Sequence, residues 1–316
     1  MSDSLVDVLI CSYNEAPNIP GLMESLRQQS VGPESFRVIF VDNASTDNTR
    51  QIVQGDSNGL DLQYIYEPHL GKNWACNTGY RHAIAPYVAH ADADCIVHPA
   101  WVGNIVRVIH AEKPHLIGGR MLPYYNTPKP CWYLDRYNSS QRGDVPRYLA
   151  PHEYIGGAST TWQRAVVERL GGFAIGMGLK GRGMARGDET NLQVRAHRVI
   201  PNLRVYYDPS IIVYHLTRTE TMSPWYWCRW MFAHGGQESI IWGRAPMASK
   251  AALRTIVSES RMILRMLVFD AFFRNRQACP YRENYIVEVV SQRFHLLGFA
   301  VASLRTRLLS IAGHSD

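Results

Sequence analysis

Residues 5–15 read LVDVLICSYNE, and this stretch decides the fold class: an apolar, β-prone run at 5–11 ends abruptly in the polar tetrad SYNE at 12–15. The same pattern recurs three more times in the first hundred residues. The later runs and their polar ends are FRVIFV (36–41) before DNAS (42–45), LQYIY (62–66) before GKN (71–73) and YVAHA (87–91) before DAD (92–94). Helical patterns lie between them, at 18–29, from 45 onward and at 74–85. Strands alternating with helices predict βαβ units and a mainly parallel, Rossmann-like α/β sheet flanked by helices.

The polar strand ends predict a binding site. In open parallel sheets, ligands bind in the crevice beyond the carboxyl ends of the strands. The polar residues at the four strand ends are therefore the candidate binding residues. Later segments supply further candidates, since Ile211–Tyr214 is another apolar run and His215 follows it.

Asp92-Ala93-Asp94 places two carboxylates at the end of the fourth strand. Such oxygens can hold a hard divalent cation and leave positions open for phosphates. An isolated motif of this kind is usually a turn, but its place at the sheet edge favours the cation. His215 is a candidate third metal ligand or phosphate contact, although a single histidine after a strand is more often structural.

Asp42 and Lys72 each have two interpretations. Asp42 could accept a hydrogen bond from a nucleobase edge, or it could cap the following helix, as could Ser45 or Thr46. Lys72, beside a glycine, could contact a phosphate as a point charge, or it could be a solvated surface lysine.

Asp188-Glu189 begins a helical pattern. Carboxylates at a helix N-terminus are stabilised by the helix dipole, which is the structural interpretation. The functional interpretation is a general base that deprotonates an acceptor hydroxyl.

The order of these elements resembles the family 2 glycosyltransferases. The matching segments cover about the first 220 residues. They are CSYNE (11–15), VDNASTDNT (41–49), GKNWACNTGY (71–80), HADADC (90–95), GGAST (156–160), GDETNLQVR (187–195) and VYHLTRT (213–219). Each is weak by itself, and their order and spacing give the resemblance its strength.

The resemblance implies a nucleotide-sugar site. Tyr13 and Glu15 would hold the nucleoside, and Asp42 would read a uracil edge, which favours UDP-sugar donors. The implied nucleotide-binding set is Ser12, Tyr13, Glu15, Asp42, Lys72, Asn77, Asp92, Ala93 and Asp94.

The resemblance also implies the catalytic groups. Asp94 would be the principal ligand of Mn²⁺ or Mg²⁺, with Asp92 and His215 beside it, and the cation would assist departure of the diphosphate. Glu189 is the first choice for the base of an inverting single displacement. Family members usually have Glu-Asp here, so the order Asp188-Glu189 leaves the assignment open by one position. Cys76 stands where relatives often have arginine.

The implied architecture is a GT-A catalytic domain at 1–220, with a nucleotide-binding half at 1–95 and an acceptor-binding half at 96–220. Residues 221–316 form a helical, basic extension. The glycine-rich segment 176–187 is a candidate acceptor-side lid. The acceptor is a glycan, a lipid-linked sugar or a small molecule. The alternatives are a sugar-phosphate nucleotidyltransferase, disfavoured because the first strand end is not glycine-rich, and a non-catalytic nucleotide-sugar-binding or scaffold protein.

The net charge of +6 is unevenly distributed. Residues 1–220 hold 21 basic and 21 acidic residues, and residues 221–316 hold 12 basic and 6 acidic ones. The excess indicates an anionic partner or a solvated helical face. No nucleic-acid-binding module is recognisable, so nucleic acid is not an expected partner. The amphipathic segment 248–275 could lie on an anionic bilayer or form a homodimer contact, and the tryptophans at 225, 227 and 230 could stack on sugars, lie in a membrane interface or pack internally.

Targeting features are consistent with a cytoplasmic protein that could associate peripherally with the inner face of the membrane. The N-terminus has the pattern of a strand, not of a signal peptide. No uninterrupted apolar run is long enough to predict a spanning helix. The six cysteines show no metal-ligand or disulfide spacing, which indicates reduced thiols.

Overall fold

The computed structural model describes residues 4–56, 58–175, 177 and 187–311, with the backbone alone at 310 and 311. The chain divides into two compact units. The sheet unit comprises Met1–Tyr124, Asp135–Gly181 and Asp188–Leu216, and the helical unit comprises Tyr125–Leu134, Arg182–Gly187 and Thr217–Asp316. The helical unit thus takes in 125–134, which lies within the range expected for the acceptor-binding half.

A mixed sheet of nine strands is formed by the described residues of the sheet unit. The strands are β1 Val6–Ser12, β2 Phe36–Asp42, β3 Leu62–Tyr66, β4 Tyr87–Asp92, β5 Cys95–Val97, β6 Leu116–Tyr124, β7 Arg147–Tyr148, β8 Thr160–Gln163 and β9 Val205–Leu216. Their order is β3-β2-β1-β4-β8-β6-β9-β5, with β7 pairing to β9. The first four strands are parallel, as predicted, and β8 joins β4 antiparallel. Beyond β4 the sheet mixes parallel and antiparallel pairs.

Helices cover both faces of the sheet. They are α1 Ile19–Arg27, α2 Thr49–Gly55, α3 Lys72–His82, α4 Trp101–Glu112, α5 Arg164–Arg169 and α6 Asp188–Val199. Alternate residues of β1 point to opposite sides: Val8 and Ile10 pack in one core with α1 and α4, and Leu9 packs in the other with α3 and α6. Because both faces are buried, the central strands β1, β2 and β4 are mostly apolar on both sides and do not alternate regularly with polar residues.

Strand register brings the polar ends together. Ser12 pairs with Asp42 across β1 and β2, and Cys11 pairs with Asp92 across β1 and β4. Ser12, Asp42 and Asp92 are each the last residue of their strand, so one edge of the sheet collects them.

The helical unit contains α7 Pro224–Gly236, α8 Glu238–Trp242, α9 Ser249–Arg265, α10 Arg282–Tyr285 and α11 Ser291–Ile311. Glycine allows α7 and α11 to approach closely, because a Cβ at Gly235 would overlap the carbonyl oxygen of His295 and one at Gly298 would overlap that of Phe232. Trp227 donates its indole N–H to the Thr221 carbonyl at 3.0 Å. In the described part of the chain, no helix has both the length and the hydropathy to cross a bilayer.

The expected cap of the second helix is not formed by Asp42, Ser45 or Thr46. The helix begins later, at Thr49, whose N–H is accepted by Asp47 Oδ1 at 3.0 Å. Ser45 and Thr46 instead belong to a loop that contacts the end of β1. Sequence reasoning placed the helix start too early because capping residues are also common in the turns that precede helices.

Candidate active site

The Asp-Ala-Asp segment and His215 are brought together by strand pairing. β5 follows directly after Asp94 and pairs antiparallel with β9, so that Cys95 lies opposite His215. The Leu216 N–H donates to the Asp94 carbonyl at 3.1 Å, which closes the pair. His215 Nε2 then lies 3.5 Å from Asp94 Oδ1 and 3.7 Å from Asp92 Oδ2. Ala93, between the two acids, is buried.

This cluster has the donor set for a divalent cation. One ligand atom from each of Asp92, Asp94, Cys95 and His215 lies within 4.8 Å of the others. Burial, followed by the charges of the two aspartates, raises the pKa of the Cys95 thiol well above its usual value. Thiolates suit softer metals than Mn²⁺ or Mg²⁺, so Cys95 is the least suitable of the four as a ligand for these cations. Two carboxylates and an imidazole remain, a set that suits Mn²⁺ and leaves room for phosphate oxygens.

Lys72 connects the cluster to the acidic pair. It is the first residue of α3, and it follows Gly71, whose φ of 145° lies in the region that favours glycine. Asn43 Oδ1 accepts the Gly71 N–H at 2.7 Å and thereby holds the loop. Lys72 Nζ lies 3.1 Å from Asp92 Oδ1 and 2.8 Å from Glu189 Oε1. Although burial opposes ionisation of Asp92, Lys72 and then His215 hold the pKa of Asp92 well below its usual range.

The two members of the acidic pair differ in environment. Both lie in the first turn of α6; the side chain of Glu189 is 18% exposed, whereas Asp188 as a residue is 5% exposed. Burial, followed by the charge of Glu189, raises the pKa of Asp188 well above the usual carboxyl value. Burial opposes ionisation of Glu189 as well, but Lys72 together with a hydrogen bond to Asp188 outweighs it, and the Glu189 pKa is lowered. Ionisation of Glu189, the member that reaches Lys72, is therefore favoured over ionisation of Asp188.

The predicted nucleoside residues lie at the ends of β1 and β2. Ser12 is 2% exposed, and among the described residues its hydroxyl has no hydrogen-bond partner. Tyr13 is half-buried, and Glu15 Oε2 accepts Asn18 Nδ2 at 2.7 Å.

Asp42 is buried and organises its own loop. Its Oδ1 accepts the Ser45 N–H at 2.9 Å, and its Oδ2 accepts the Tyr64 hydroxyl at 2.6 Å. Each carboxylate oxygen has one protein donor and can accept another from a ligand.

Asn77 makes its side-chain hydrogen bonds to the backbone of a distant segment. Its Nδ2 donates to the Phe173 carbonyl at 2.9 Å, and its Oδ1 accepts the Phe173 N–H at 2.7 Å. Both ends of the amide therefore brace the backbone at 173, and the contacts of this side chain are with that segment. The candidate lid, 176–187, lies outside the described residues except for positions 177 and 187.

Three residues at this edge received no individual role from the sequence, although Asn14 and Asn43 lie within the polar strand ends SYNE and DNAS. Asn14 adopts a φ of 54°, and its Oδ1 accepts the N–H groups of Thr46 at 2.7 Å and Asp47 at 3.3 Å, which ties β1 to the next loop. Asn43 and Tyr64 are the other two. For Asn14 a usable signal is an asparagine just beyond a strand end, since asparagine tolerates left-handed backbone. Nothing local marks Tyr64, whose partner lies on the neighbouring strand.

A family model described as Glycosyl transferase family 2 matches residues 7–170, just over half of the chain. The chain belongs to glycosyl transferase family 2. This confirms the resemblance stated from the motifs.

Curated relatives match part of the chain. Glycosyltransferase AglE of Haloferax volcanii is 27% identical over 170 residues, which are 53% of this chain and 55% of AglE. Validoxylamine A glucosyltransferase of Streptomyces hygroscopicus subsp. limoneus is 32% identical over 104 residues, 32% of this chain and 23% of that protein. The family 2 chain thus spans about half of AglE and about a quarter of the second relative.

Solved structures show the same fold over most of the chain. Mannosyltransferase PcManGT from Pyrobaculum calidifontis, in complex with GDP-Man and Mn²⁺, has a TM-score of 0.57 at 18% identity and covers 99% of this chain and 76% of PcManGT. S. aureus TarS 1-349 with UDP-GlcNAc has a TM-score of 0.56 at 14% identity, covering 96% and 91%. The predicted fold class, an α/β GT-A fold with C-terminal helices, is confirmed.

Proposed function

We propose that this family 2 chain is a metal-dependent glycosyltransferase that moves a sugar from a nucleotide-sugar donor, with UDP-sugars favoured, to an acceptor hydroxyl. The observation that carries the proposal is the cluster at the strand ends. There, the Lys72 ammonium group forms ion pairs with both Asp92 and Glu189. Asp92 in turn lies beside Asp94 and His215. A cation site and a candidate base thus lie on either side of one ammonium group.

Asp92, Asp94 and His215 would hold the divalent cation. When bound, Mn²⁺ or Mg²⁺ would offset the negative charge of the departing diphosphate. The imidazole in the donor set favours Mn²⁺ over Mg²⁺. The Mn²⁺ in the PcManGT complex supports this choice.

Glu189 is proposed as the general base. It is the more accessible of the two acids, and Lys72 keeps it charged and able to accept a proton. Asp188, buried and with a raised pKa, would position the first turn of α6. A single base of this kind fits a direct displacement, in which the acceptor oxygen attacks opposite the leaving diphosphate and the anomeric configuration inverts.

Ser12, Tyr13, Glu15 and Asp42 are proposed to bind the nucleoside, within a nucleotide-binding half at 1–95. Residues 96–220 would bind a glycan, lipid-linked or small-molecule acceptor, and residues 221–316 would form an extension. The UDP-GlcNAc in the TarS complex supports a uridine donor, and the GDP-Man in the PcManGT complex makes guanosine the first comparison.

A thermal-shift panel tests the donor site. UDP, GDP, dTDP and their sugars are added with and without Mn²⁺, since a ligand at a hundredfold its Kd stabilises the folded state by about 2.7 kcal/mol. We expect a metal-dependent shift with one nucleotide that Asp94→Asn abolishes. The matched control is Asp61→Asn, an exposed aspartate of the same unit, which should leave the shift unchanged. No shift with any nucleotide would refute the proposal.

Product analysis tests the reaction. With the donor identified, NMR of the transferred or hydrolysed sugar reports its anomeric configuration, and an inverted product supports the single displacement. A retained configuration contradicts it. A metal-dependent thermal shift without any transfer or hydrolysis would support instead a non-catalytic, nucleotide-sugar-binding scaffold protein.

A further inference from the structure

A stripe of exposed apolar side chains runs along α9 and the π-helical turn Met266–Asp270 that continues it. The buried side of α9 carries Ala252, Glu259 and Ile263. On another side, the exposed apolar residues recur at intervals of four and seven positions, which places them on one face of a helix. They are Leu253 (51% exposed), Val257 (49%), Leu264 (63%) and Val268 (46%).

Three phenylalanines extend this stripe at the turn that follows. Phe269 is 61% exposed, Phe272 62% and Phe273 87%. Leaving such rings in water forgoes the free energy that burial of their apolar surface would release. Three aromatic rings exposed to this extent within five residues are typical of a surface that meets a partner.

The turn is ordered by arginine contacts. The Arg274 guanidinium donates to the carbonyls of Ala271 at 3.1 Å, Cys279 at 3.0 Å and Pro280 at 2.9 Å. Arg282 donates to the Leu267 carbonyl at 2.8 Å, and its guanidinium lies 4.9 Å from the Phe272 ring centre. The backbone is therefore held in place while the rings project.

Cations follow the same stripe. Arg254, Arg261 and Arg265 are seven and four positions apart, so they form a row beside the apolar residues. All three are exposed. Within the part of the chain that the structure describes, Arg254 and Arg261 form no ion pair, and Arg265 contacts Asp270 at 3.6 Å. Long arginine side chains beside an apolar stripe can reach phosphates while the stripe is buried in acyl chains.

We propose that this surface, named here the apolar–basic face and formed by the stripe, the three phenylalanines and the arginine row, docks on a bilayer that contains anionic lipids. A second copy of the chain is the weaker candidate, because self-association would bring two positive rows together, whereas anionic headgroups complement them. The apolar side chains would lie at the headgroup–acyl boundary with the arginines at the phosphates.

Vesicle sedimentation tests the proposal with the full chain and without nucleotide, so the result does not depend on the proposed transferase activity. Vesicles of phosphatidylcholine alone are compared with vesicles that contain one third phosphatidylglycerol, at low and high salt. We expect binding to the anionic vesicles only, and its loss at high salt. R254Q/R261Q should weaken binding about thirtyfold, and F272S/F273S at least about tenfold.

Two controls on the sheet unit define specificity. Ile84→Ser removes an exposed apolar side chain (71% exposed), and Arg169→Gln removes an exposed cation. Both should bind vesicles as the unaltered chain does. The proposal is overturned if anionic vesicles at low salt do not bind the chain, or if the controls weaken binding as much as the variants of the face. It is equally overturned if F272S/F273S dissociates a dimer in light scattering and leaves vesicle binding unchanged.

Discussion

Replacing Lys72 with methionine should reduce both stability and catalysis, because one ammonium group neutralises two carboxylates. Its Nζ lies 2.8 Å from Glu189 Oε1 and 3.1 Å from Asp92 Oδ1. At an effective dielectric constant of about 20, these pairs attract by roughly 6 and 5 kcal/mol before desolvation is subtracted. Breaking a buried pair costs about 3–5 kcal/mol. Because the Lys72 side chain is 21% exposed, we expect a loss near the lower end, about 3 kcal/mol in the free energy of unfolding.

The same substitution should move the pH profile of catalysis. Burial raises the pKa of Glu189, and Lys72, with a smaller contribution from Asp188, lowers it below its usual value. Without the ammonium group that pKa rises, so the proposed base is charged only at higher pH. The acidic limb of kcat/KM should therefore shift to higher pH, by about one pH unit for each 1.4 kcal/mol of lost interaction with the charged carboxylate. Lys72→Arg keeps the charge and is the matched control, with the limb expected near its original position.

The assay is the pH dependence of donor turnover for the unaltered chain and both variants, with urea unfolding measured in parallel. A Lys72→Met variant that loses activity but keeps its acidic limb in place would refute the link to Glu189. Lys72 would then act on the donor alone. Unchanged unfolding free energy would contradict the assigned ion pairs.

Three further predictions concern other parts of the chain. Gly235→Ala should destabilise the fold by about 1–3 kcal/mol because its Cβ would overlap the backbone of α11. Gly236→Ala has 3.9 Å to its nearest neighbour and should instead stabilise the helix by about 0.5–1 kcal/mol. The urea midpoints of the two variants check this. Burial opposes ionisation of Asp208, but hydrogen bonds from a serine and an arginine lower its pKa below the ordinary 3.8. The stability that the charged carboxylate adds should therefore be lost as the pH falls below 3.8. Asp208→Asn should make the free energy of unfolding depend less on pH, which unfolding measured at neutral and acidic pH checks. Tyr64→Phe removes the 2.6 Å hydrogen bond to Asp42 and should raise the donor KM by about tenfold with kcat little changed. Steady-state kinetics checks this, and an effect on kcat alone would contradict a role in donor binding.

Much of the sheet edge could be predicted because its residues follow apolar runs directly. Asp42 and Asp92 are the last residues of β2 and β4, and any parallel arrangement of these strands brings them to the same edge. The turn before α2 was harder to predict. Ser45 is as suitable for a cap as for a turn, and the choice depends on Asn14, which contacts that loop from the previous strand end.

The sequence by itself determined the strand–helix alternation, the family and the identity of the acidic groups, because periodicity and strand-end position are local properties of the chain. Tertiary structure alone decided which distant groups meet. The antiparallel pairing of Cys95 with His215 brings the imidazole to the two aspartates, and Lys72 reaches Glu189 across 117 positions of sequence. Asn77 shows the converse, since it lies in a matching motif but braces the backbone at Phe173. Contacts of this kind depend on strand register and helix packing, which the whole core determines and no local pattern encodes.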